Sequence, residues 1–571
     1  MAELPVCLQQ SKCILHIDLD CYFCQVEQVR LGLSPDKPVA VQQWSNLIAV
    51  NYAARDFGVS RLVTVDQAKE LCPDITLVHV ATFAPNETVA KYHDKPSRST
   101  HKVDLSPYRH ASKKIFNVFS AHCPLLQKMG SDEAFLDVTD LANKRLSEQY
   151  IPQHPELLDH LDDLLLPEQH VVDWDNVAFM VRSQAEKRHE QDNTFRWDKT
   201  SWKDLQLYAG AAIAAEIRKD IFDTLHYTCS AGVAHNKVLS KLCSSMHKPN
   251  KQTILRDHIA QEFMQNIPFK KIRNLGGKLG DQIEEEYQLS MAGDLWKYEK
   301  KELQQKFGES TGAWIYDIVR GIDHEEVQVA KAPKSLIASK SMYPVVEAEE
   351  ALIPWFGVLA AELYTRIMEH WDANRLYPKT MTMTYKCTRD TKYRSKSMAM
   401  IHRGQLKSPD NLRERIEKLA YSAGLKDMLP CTLLSAHVSG LVPDASLTSH
   451  TISSYFSVAP SSEPPLIGSS TVSTTSPSSP SPTASPSTTF AKNVSQADHS
   501  SPISWICDRC NNTIPLEQVD EHTDFHFVQD LVDQERASNI PHSSQQKRPS
   551  TSSSTSTTSS KKPRRSFFSP E

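Results

Sequence analysis

Residues 13–23 read CILHIDLDCYF. Leu15, Ile17 and Leu19 fall on one side of an extended chain and His16, Asp18 and Asp20 on the other, the period-2 alternation of a strand. A carboxylate inside an apolar strand is costly unless it is paired or binds a metal. Further along, SDEAFLDVT (131–139) reads as a second strand with Asp132 and Glu133 at its start. Laid side by side, the two strands gather Asp18, Asp132 and Glu133 at one sheet edge. Three carboxylates there can hold two divalent cations roughly 3.5–4 Å apart, the arrangement that in-line phosphoryl transfer requires. Hard oxygen ligands select Mg2+ over softer metals. Spacing alone leaves open the alternative of solvated strand-end carboxylates.

Around these strands, LIAVNYAARDF (47–57) begins as an apolar strand and passes into a helical stretch, and LYAGAAIAAEIRKDIFDTLH (207–226) has alanine-rich helical periodicity. Helices and strands mix without regular βαβ alternation, so the expected class is α+β and not a parallel doubly wound sheet. The 571 residues suit roughly four domains at the usual ~150 each. Seventeen glycines without a period exclude collagen, and no run approaches the ~18 apolar residues of a membrane span, so no membrane partner is expected. The N-terminal MAELPVCLQQSKC lacks a signal-type apolar core, which predicts the reducing side of the cell. Ten cysteines are scattered over residues 7–431 and only Cys507 and Cys510 form a tight pair, a pattern of free thiols plus one metal site. The net charge of −5 does not announce a nucleic-acid binder, so local polarity must decide.

From Asp444 to Ser504 the texture changes: the only charged side chains are Asp444, Glu463, Lys492 and Asp498, amid repeats such as STTSPSSPSPTASPSTT. Such a segment cannot bury enough apolar area to offset its chain entropy, so residues 443–502 are expected to be a disordered linker. Residues 503–536 regain aromatic and apolar side chains, and 537–571 form a Ser/Thr-rich tail. Within the island, Cys507 and Cys510 are followed by His522 and His526. Thiolates and imidazoles at this spacing close a tetrahedral structural Zn2+ site of ββα type, and so short an island could not fold without it. Residues 517–534 carry six acids and no Lys or Arg. A finger that reads DNA needs a basic helix, so this one should grip a protein. In the tail, KR (547–548) and KKPRR (561–565) suit a bipartite nuclear import signal, which predicts the nucleus.

Five stretches occur in order: HIDLDCYF (16–23), IAVNYAARDFGVSR (48–61), SDEAFLDV (131–138), CSAGVAHNKVLSKLCSSMHKPN (229–250) and IRNLGGKLG (272–280). Together they resemble the Y-family translesion DNA polymerases, and most of all their eta-type branch. The resemblance implies a multidomain right hand: palm (1–20 and 91–255), fingers (21–90), a thumb with a helix-hairpin-helix-like turn (256–330) and a little finger (331–442). It implies that Asp18, Asp132 and Glu133 are catalytic and bind two Mg2+, with Leu19 lending a main-chain carbonyl. Phe23 matches the steric gate, a flat ring that rejects a 2′-hydroxyl by contact beneath the sugar of the dNTP. Tyr52, Arg55 and Lys248 match residues holding the triphosphate, groups suited to orienting phosphate oxygens. Arg61 and Gln43 correspond to contacts around the nascent base pair, although the loop after Gln43 is shorter than the family's. One departure stands out: the family has Ser and then an apolar residue before its Asp-Glu pair, whereas here Ser131 directly precedes Asp132. A one-residue shift turns a strand side chain to the opposite face.

Gly276, Gly277 and Lys278 open a helix in the thumb region, where backbone N–H groups can hold a DNA phosphate without reading sequence. Residues 379–407 carry eight basic side chains against Asp390. The alternating run containing Lys386, Arg389, Lys392, Arg394 and Lys396 predicts one basic sheet face along a primer-template duplex, at the little-finger position of the family. The zinc island resembles the ubiquitin-binding zinc finger of eta-type polymerases, with Asp524 and Phe527 at contact positions, which implies ubiquitin on a sliding clamp as partner. Ile452, Tyr455 and Phe456 have the hydrophobic spacing of clamp-binding peptides, with Ser449 where glutamine is usual. The expected function is insertion of deoxynucleotides opposite damaged bases, ultraviolet pyrimidine dimers by the eta resemblance. The alternatives are an inactive ubiquitin-reading scaffold, another Y-family member of different lesion preference, and a metal-dependent nuclease, for which Tyr52, Arg55 and Lys248 would have no purpose.

Overall fold

The computed structural model describes residues 3–61, 63–174, 176–191, 200–329, 333–390, 393–443, 504–506 and 513–515. At its centre is a six-stranded sheet in the order Leu126–Lys128, Glu133–Asp137, Ile14–Leu19, Cys229–Ala234, Gln252–Ile254, Phe179–Met180. The expected alternation of Leu15, Ile17 and Leu19 holds: all three join Ala134, Leu136 and Val233 in a core with Ile115 and Phe119 of the helix Ser106–His122. The long helix Trp202–Leu225 closes the same core through Leu205, Ala211, Ala214 and Ile217, and starts at a capping box in which Ser201 and Asp204 bond reciprocally. Helix Lys237–Ser244 packs against the sheet. Its close approach depends on Gly232, where a Cβ would stand 2.0 Å from the Ser240 carbonyl oxygen.

A smaller sheet joins Asn46–Val50, Val39–Gln43 and Thr76–His79. Its core of Ala40, Leu47, Val50, Ala54, Val59 and Ala68 is fed by the helices Tyr52–Arg55 and Val65–Leu71. A third unit packs the helices Lys278–Tyr287, Lys300–Phe307 and Glu309–Ile318 around Leu275, Ile283, Leu303 and Ile315. The fourth is a sheet in the order Ser335–Val346, Cys431–Ser439, Thr380–Cys387, Arg394–Ala399, backed by the helices Glu349–Asn374 and Pro409–Ala423. Helix Glu349–Asn374 is long and apolar enough to cross a membrane by composition. It instead buries Phe356, Leu359, Leu363 and Ile367 in one cluster with Met381, Met383 and Val438 of the sheet.

The basic run does not form one face. Met383 pairs with Lys396 and Tyr385 with Arg394, so those two basic residues share the helix side of the sheet with Met383 and Tyr385, at its exposed edge. Lys386, one residue after Tyr385, points to the other side. The chain ends one strand at Cys387 and restarts at Arg394, and the return register reverses the parity a single strand would keep. Lys392 lies outside the described residues. Near the C-terminus, Ser504–Ile506 pairs antiparallel with Thr513–Pro515, and Cys507 and Cys510 fall in the six-residue connection. Cys507, Cys510, His522, Asp524, His526 and Phe527 lie outside the described residues, as do Ile452, Tyr455 and Phe456.

Candidate active site

Antiparallel pairing sets Asp18 directly opposite Glu133 on one side and Ser230 on the other. The Leu19 N–H donates to the Asp132 carbonyl at 3.0 Å, so Asp132 sits at the same end of the sheet. Asp18 and Glu133 are buried in the strand pattern, 4 % and 3 % exposed. Burial pushes the Asp132 carboxyl up to about 7, with the Asp18 and Glu133 charges adding and Lys248 opposing. The three carboxylates are thus close enough to repel one another, which is the condition in which a shared cation is stabilising.

Two lysines meet this negative charge. Lys248 Nζ lies 2.5 Å from Asp18 Oδ1 and 3.9 Å from Asp20 Oδ1. Burial disfavours its charge, yet Asp18, Tyr52 and Asp20 hold the ammonium above its ordinary range. Its loop is anchored there because the Asn250 N–H donates to Asp20 Oδ2 at 2.8 Å and Arg218 Nη2 donates to Asn250 Oδ1 at 2.7 Å. Ser230 Oγ donates to Asp20 Oδ1 at 2.8 Å. Lys241 Nζ, from the helix over Gly232, reaches Glu133 Oε2 at 2.5 Å. His16 bridges Glu133 Oε2 (3.2 Å) and Ser244 Oγ (2.8 Å); burial and then Lys241 lower its pKa against Glu133. Lys241 and His16 position Glu133 and were not singled out from sequence. His16 carried a signal, lying on the same strand face as Asp18, whereas Lys241 depends on a helix crossing that only the fold reveals.

The Asn51 side chain accepts from the Ala54 N–H and so caps the short helix Tyr52–Arg55. Arg55 Nε donates to the Val50 carbonyl at 3.0 Å and its guanidinium stands 4.7 Å over the Tyr52 ring. Tyr52 and Arg55 come together with Lys248 at the acidic sheet end: burial raises the Tyr52 phenol while Lys248 pulls it down, with Asp20 also acting on it. Between them the chain turns through Cys21, a non-glycine residue at φ 38°, from the Asp18 strand into the helix Tyr22–Leu31. The Phe23 ring packs at a tilt of 38° with its centroid 4.0 Å from that of Tyr108, whose hydroxyl donates to Glu27 Oε1 at 2.7 Å. Arg61 is buried. Gln43 ends its strand paired with Asn46 across a two-residue turn. Ser131 Oγ donates to Asp132 Oδ1 at 3.3 Å. Gly277 caps the helix Lys278–Tyr287, and a Cβ on Gly280 would meet the Leu275 carbonyl oxygen at 1.7 Å.

Comparison with known proteins meets this geometry. The impB/mucB/samB family model matches residues 17–245 and its C-terminal domain matches 333–451, together more than half of the chain. The chain belongs to the Y family of DNA polymerases. A model described as the helix-hairpin-helix motif of DNA polymerase eta and Rev1 covers 267–322, and the ubiquitin-binding zinc finger model covers 504–534. N-acetyltransferase eso1 of Schizosaccharomyces pombe is 38 % identical over 65 % of this chain and 42 % of its own length. DNA polymerase eta of Drosophila melanogaster is 33 % identical over 66 % of this chain and 42 % of its own. For DNA polymerase eta of Arabidopsis thaliana the values are 33 %, 65 % and 52 %. Within the family the chain is thus most like eta, and it spans about half the length of these relatives.

Proposed function

We propose that this chain is a template-directed DNA polymerase of translesion synthesis, inserting deoxynucleotides opposite damaged bases such as ultraviolet pyrimidine dimers. The observation that carries the reading is the meeting of buried Asp18 and Glu133 and half-buried Asp132 with Tyr52, Arg55 and Lys248. Acids alone would serve a nuclease equally; the cationic and phenolic groups suit a triphosphate.

The donor set is all oxygen and its charges repel one another, so it fits Mg2+. Asp18, Asp132, Glu133 and the Leu19 carbonyl would hold two ions. When bound, they lower the pKa of the primer 3′-hydroxyl and stabilise charge on the reacting phosphate. Lys248, Arg55 and Tyr52 neutralise and orient the triphosphate as the 3′-hydroxyl attacks the α-phosphate and pyrophosphate departs. Lys241 and His16 hold the Glu133 carboxylate in place. Phe23, held against Tyr108, would present a flat wall to the sugar, and Arg61 and Gln43 would contact the nascent pair. The central sheet acts as palm, the small sheet as fingers, the Gly276–Gly277–Lys278 turn as thumb contact to a phosphate. Lys386, on the little-finger sheet face away from the helices, and Arg389, in the turn after Cys387, would meet the primer-template duplex, with Arg394 and Lys396 beside them at the exposed edge strand. The C-terminal hairpin belongs to a finger whose Zn2+ would be held by Cys507, Cys510, His522 and His526. Asp524 and Phe527 would recruit the enzyme to ubiquitin on a sliding clamp in the nucleus, assisted by Ile452, Tyr455 and Phe456.

Extension of a primed thymine-dimer template with Mg2+ and all four deoxynucleotides, beside an undamaged template, tests the reading. The wild type should extend both and Asp132→Ala/Glu133→Ala neither. Extension of neither template by the wild type, or shortening of the primer, overturns it. Asp524→Ala should lose ubiquitin capture while extension stays intact.

A further inference from the structure

Among the described residues, His154, Glu156 and His170 form a group away from this site whose ligand atoms all lie within 4.8 Å of one another. They belong to the stretch 148–206, which lies inside the span matched by the impB/mucB/samB family model but contains none of the five ordered motifs. His154 joins the helical turn Ile151–Gln153 to Pro155–His160. Its Nδ1 lies 3.4 Å from Glu156 Oε1, and His170 Nδ1 lies 3.2 Å from the same oxygen. Ligands in a tetrahedral zinc site, each about 2.0–2.1 Å from the metal, stand roughly 3.3–3.4 Å apart. The two edges, 3.4 and 3.2 Å, are close to that length.

The surroundings are also those of a ligand set. His170 Nε2 is 2.9 Å from the Tyr150 hydroxyl. A metal would displace the proton through which His170 Nδ1 bonds Glu156 Oε1, and Nε2–H would then donate to the Tyr150 hydroxyl, the outer-shell arrangement that fixes a metal-binding imidazole. The Tyr150 ring rests 5.9 Å from Tyr208 on the long helix Trp202–Leu225. The His170 side chain is 3 % exposed, whereas His154 and Glu156 are 37 % and 54 % exposed, leaving one side open to water. Two imidazoles with a single carboxylate are poorly suited to Mg2+ or Ca2+, which take oxygen shells, and well suited to Zn2+.

We propose that His154, Glu156 and His170 bind a Zn2+ ion through two Nδ1 atoms and one carboxylate oxygen, with water as fourth ligand. The ion cross-links the two ends of the loop 154–170, whose Leu157 and Leu166 enter the central core, and so ties this loop to that core. It is separate from the zinc of the C-terminal finger and does not depend on the proposed reaction.

The test is elemental analysis of the full-length protein after exhaustive chelation and dialysis against Zn2+ in excess Mg2+. His154→Ala/Glu156→Gln alters only partly exposed side chains, so the fold is retained. Its zinc content should fall by one ion per chain relative to the wild type, as should that of Cys507→Ser/Cys510→Ser, and the combined variant should bind none. With Co2+ in place of Zn2+, the thiolate charge-transfer band should survive His154→Ala/Glu156→Gln, which shows that the finger still loads. Tyr150→Phe should weaken binding at this site roughly 10–100-fold. An unchanged zinc content in His154→Ala/Glu156→Gln, with only a hydrogen-bonded His–Glu–His cluster remaining, overturns the proposal.

Discussion

Replacing Lys248 with alanine removes the ammonium that stands 2.5 Å from Asp18. The two side chains are 6 % and 5 % exposed, so water cannot take the lysine's place cheaply. Removing one partner of such a buried pair costs about 3–5 kcal/mol. For a unit of 150–250 residues each kcal/mol moves Tm by about 2–4 °C, which gives a fall of roughly 6–20 °C. Thermal unfolding of the full chain without Mg2+ reads this directly, with Lys219→Ala as control because Lys219 is 75 % exposed. Added Mg2+ should restore Tm more in Lys248→Ala than in the wild type, since a divalent cation relieves the same unpaired carboxylate. In primer extension the variant's KM for dNTP should rise more than its kcat falls. A Tm loss no greater than the control's would refute the buried pair and the argument built on it.

Three further outcomes follow from the same physical terms. The folded Asp132 carboxyl titrates at about 7, above its ordinary range, through burial and then Asp18 and Glu133. Its contribution to stability is therefore full below about 4 and lost as pH rises through 7, so the metal-free protein should have a lower urea midpoint at pH 8 than at pH 5. Asp132→Asn should flatten that difference. Glu362 has the opposite sign: burial opposes its charge, but Arg366, Lys102 and Arg109 hold it down at about 2. Its stabilisation is present above about 4.5 and lost as pH falls toward 2, and Glu362→Gln should cost about 3–5 kcal/mol at neutral pH. Gly280→Ala forces the helix Lys278–Tyr287 away from Leu275, at about 1–3 kcal/mol. It should weaken primer-template binding, and an unchanged duplex Kd would refute a role for this turn.

The alternation in 13–23 was legible because burying Leu15, Ile17 and Leu19 leaves Asp18 only one face. The ordered motifs supplied what alternation could not, namely that the Asp18 strand lies beside the Glu133 strand. The helix Trp202–Leu225 was equally plain from its alanine-rich period. Faces that depend on a turn were not legible: restarting the chain at Arg394 after Cys387 separates Lys386 from Arg394 and Lys396. Nor were partners brought by helix crossings or loops, as with Lys241 on Glu133 and His170 on Glu156, because no local spacing encodes such meetings.

The bare backbone at Gly232 has an effect well beyond its own position. Helix Lys237–Ser244 rests on it, and that helix carries both Lys241 and Ser244, which fasten Glu133 directly and through His16. A single methyl group there would prop the helix up like a wedge under a lever. The reaction centre would lose its alignment while every residue of its chemistry stayed intact, so screens for inactive alleles should recover substitutions at a position that touches no substrate.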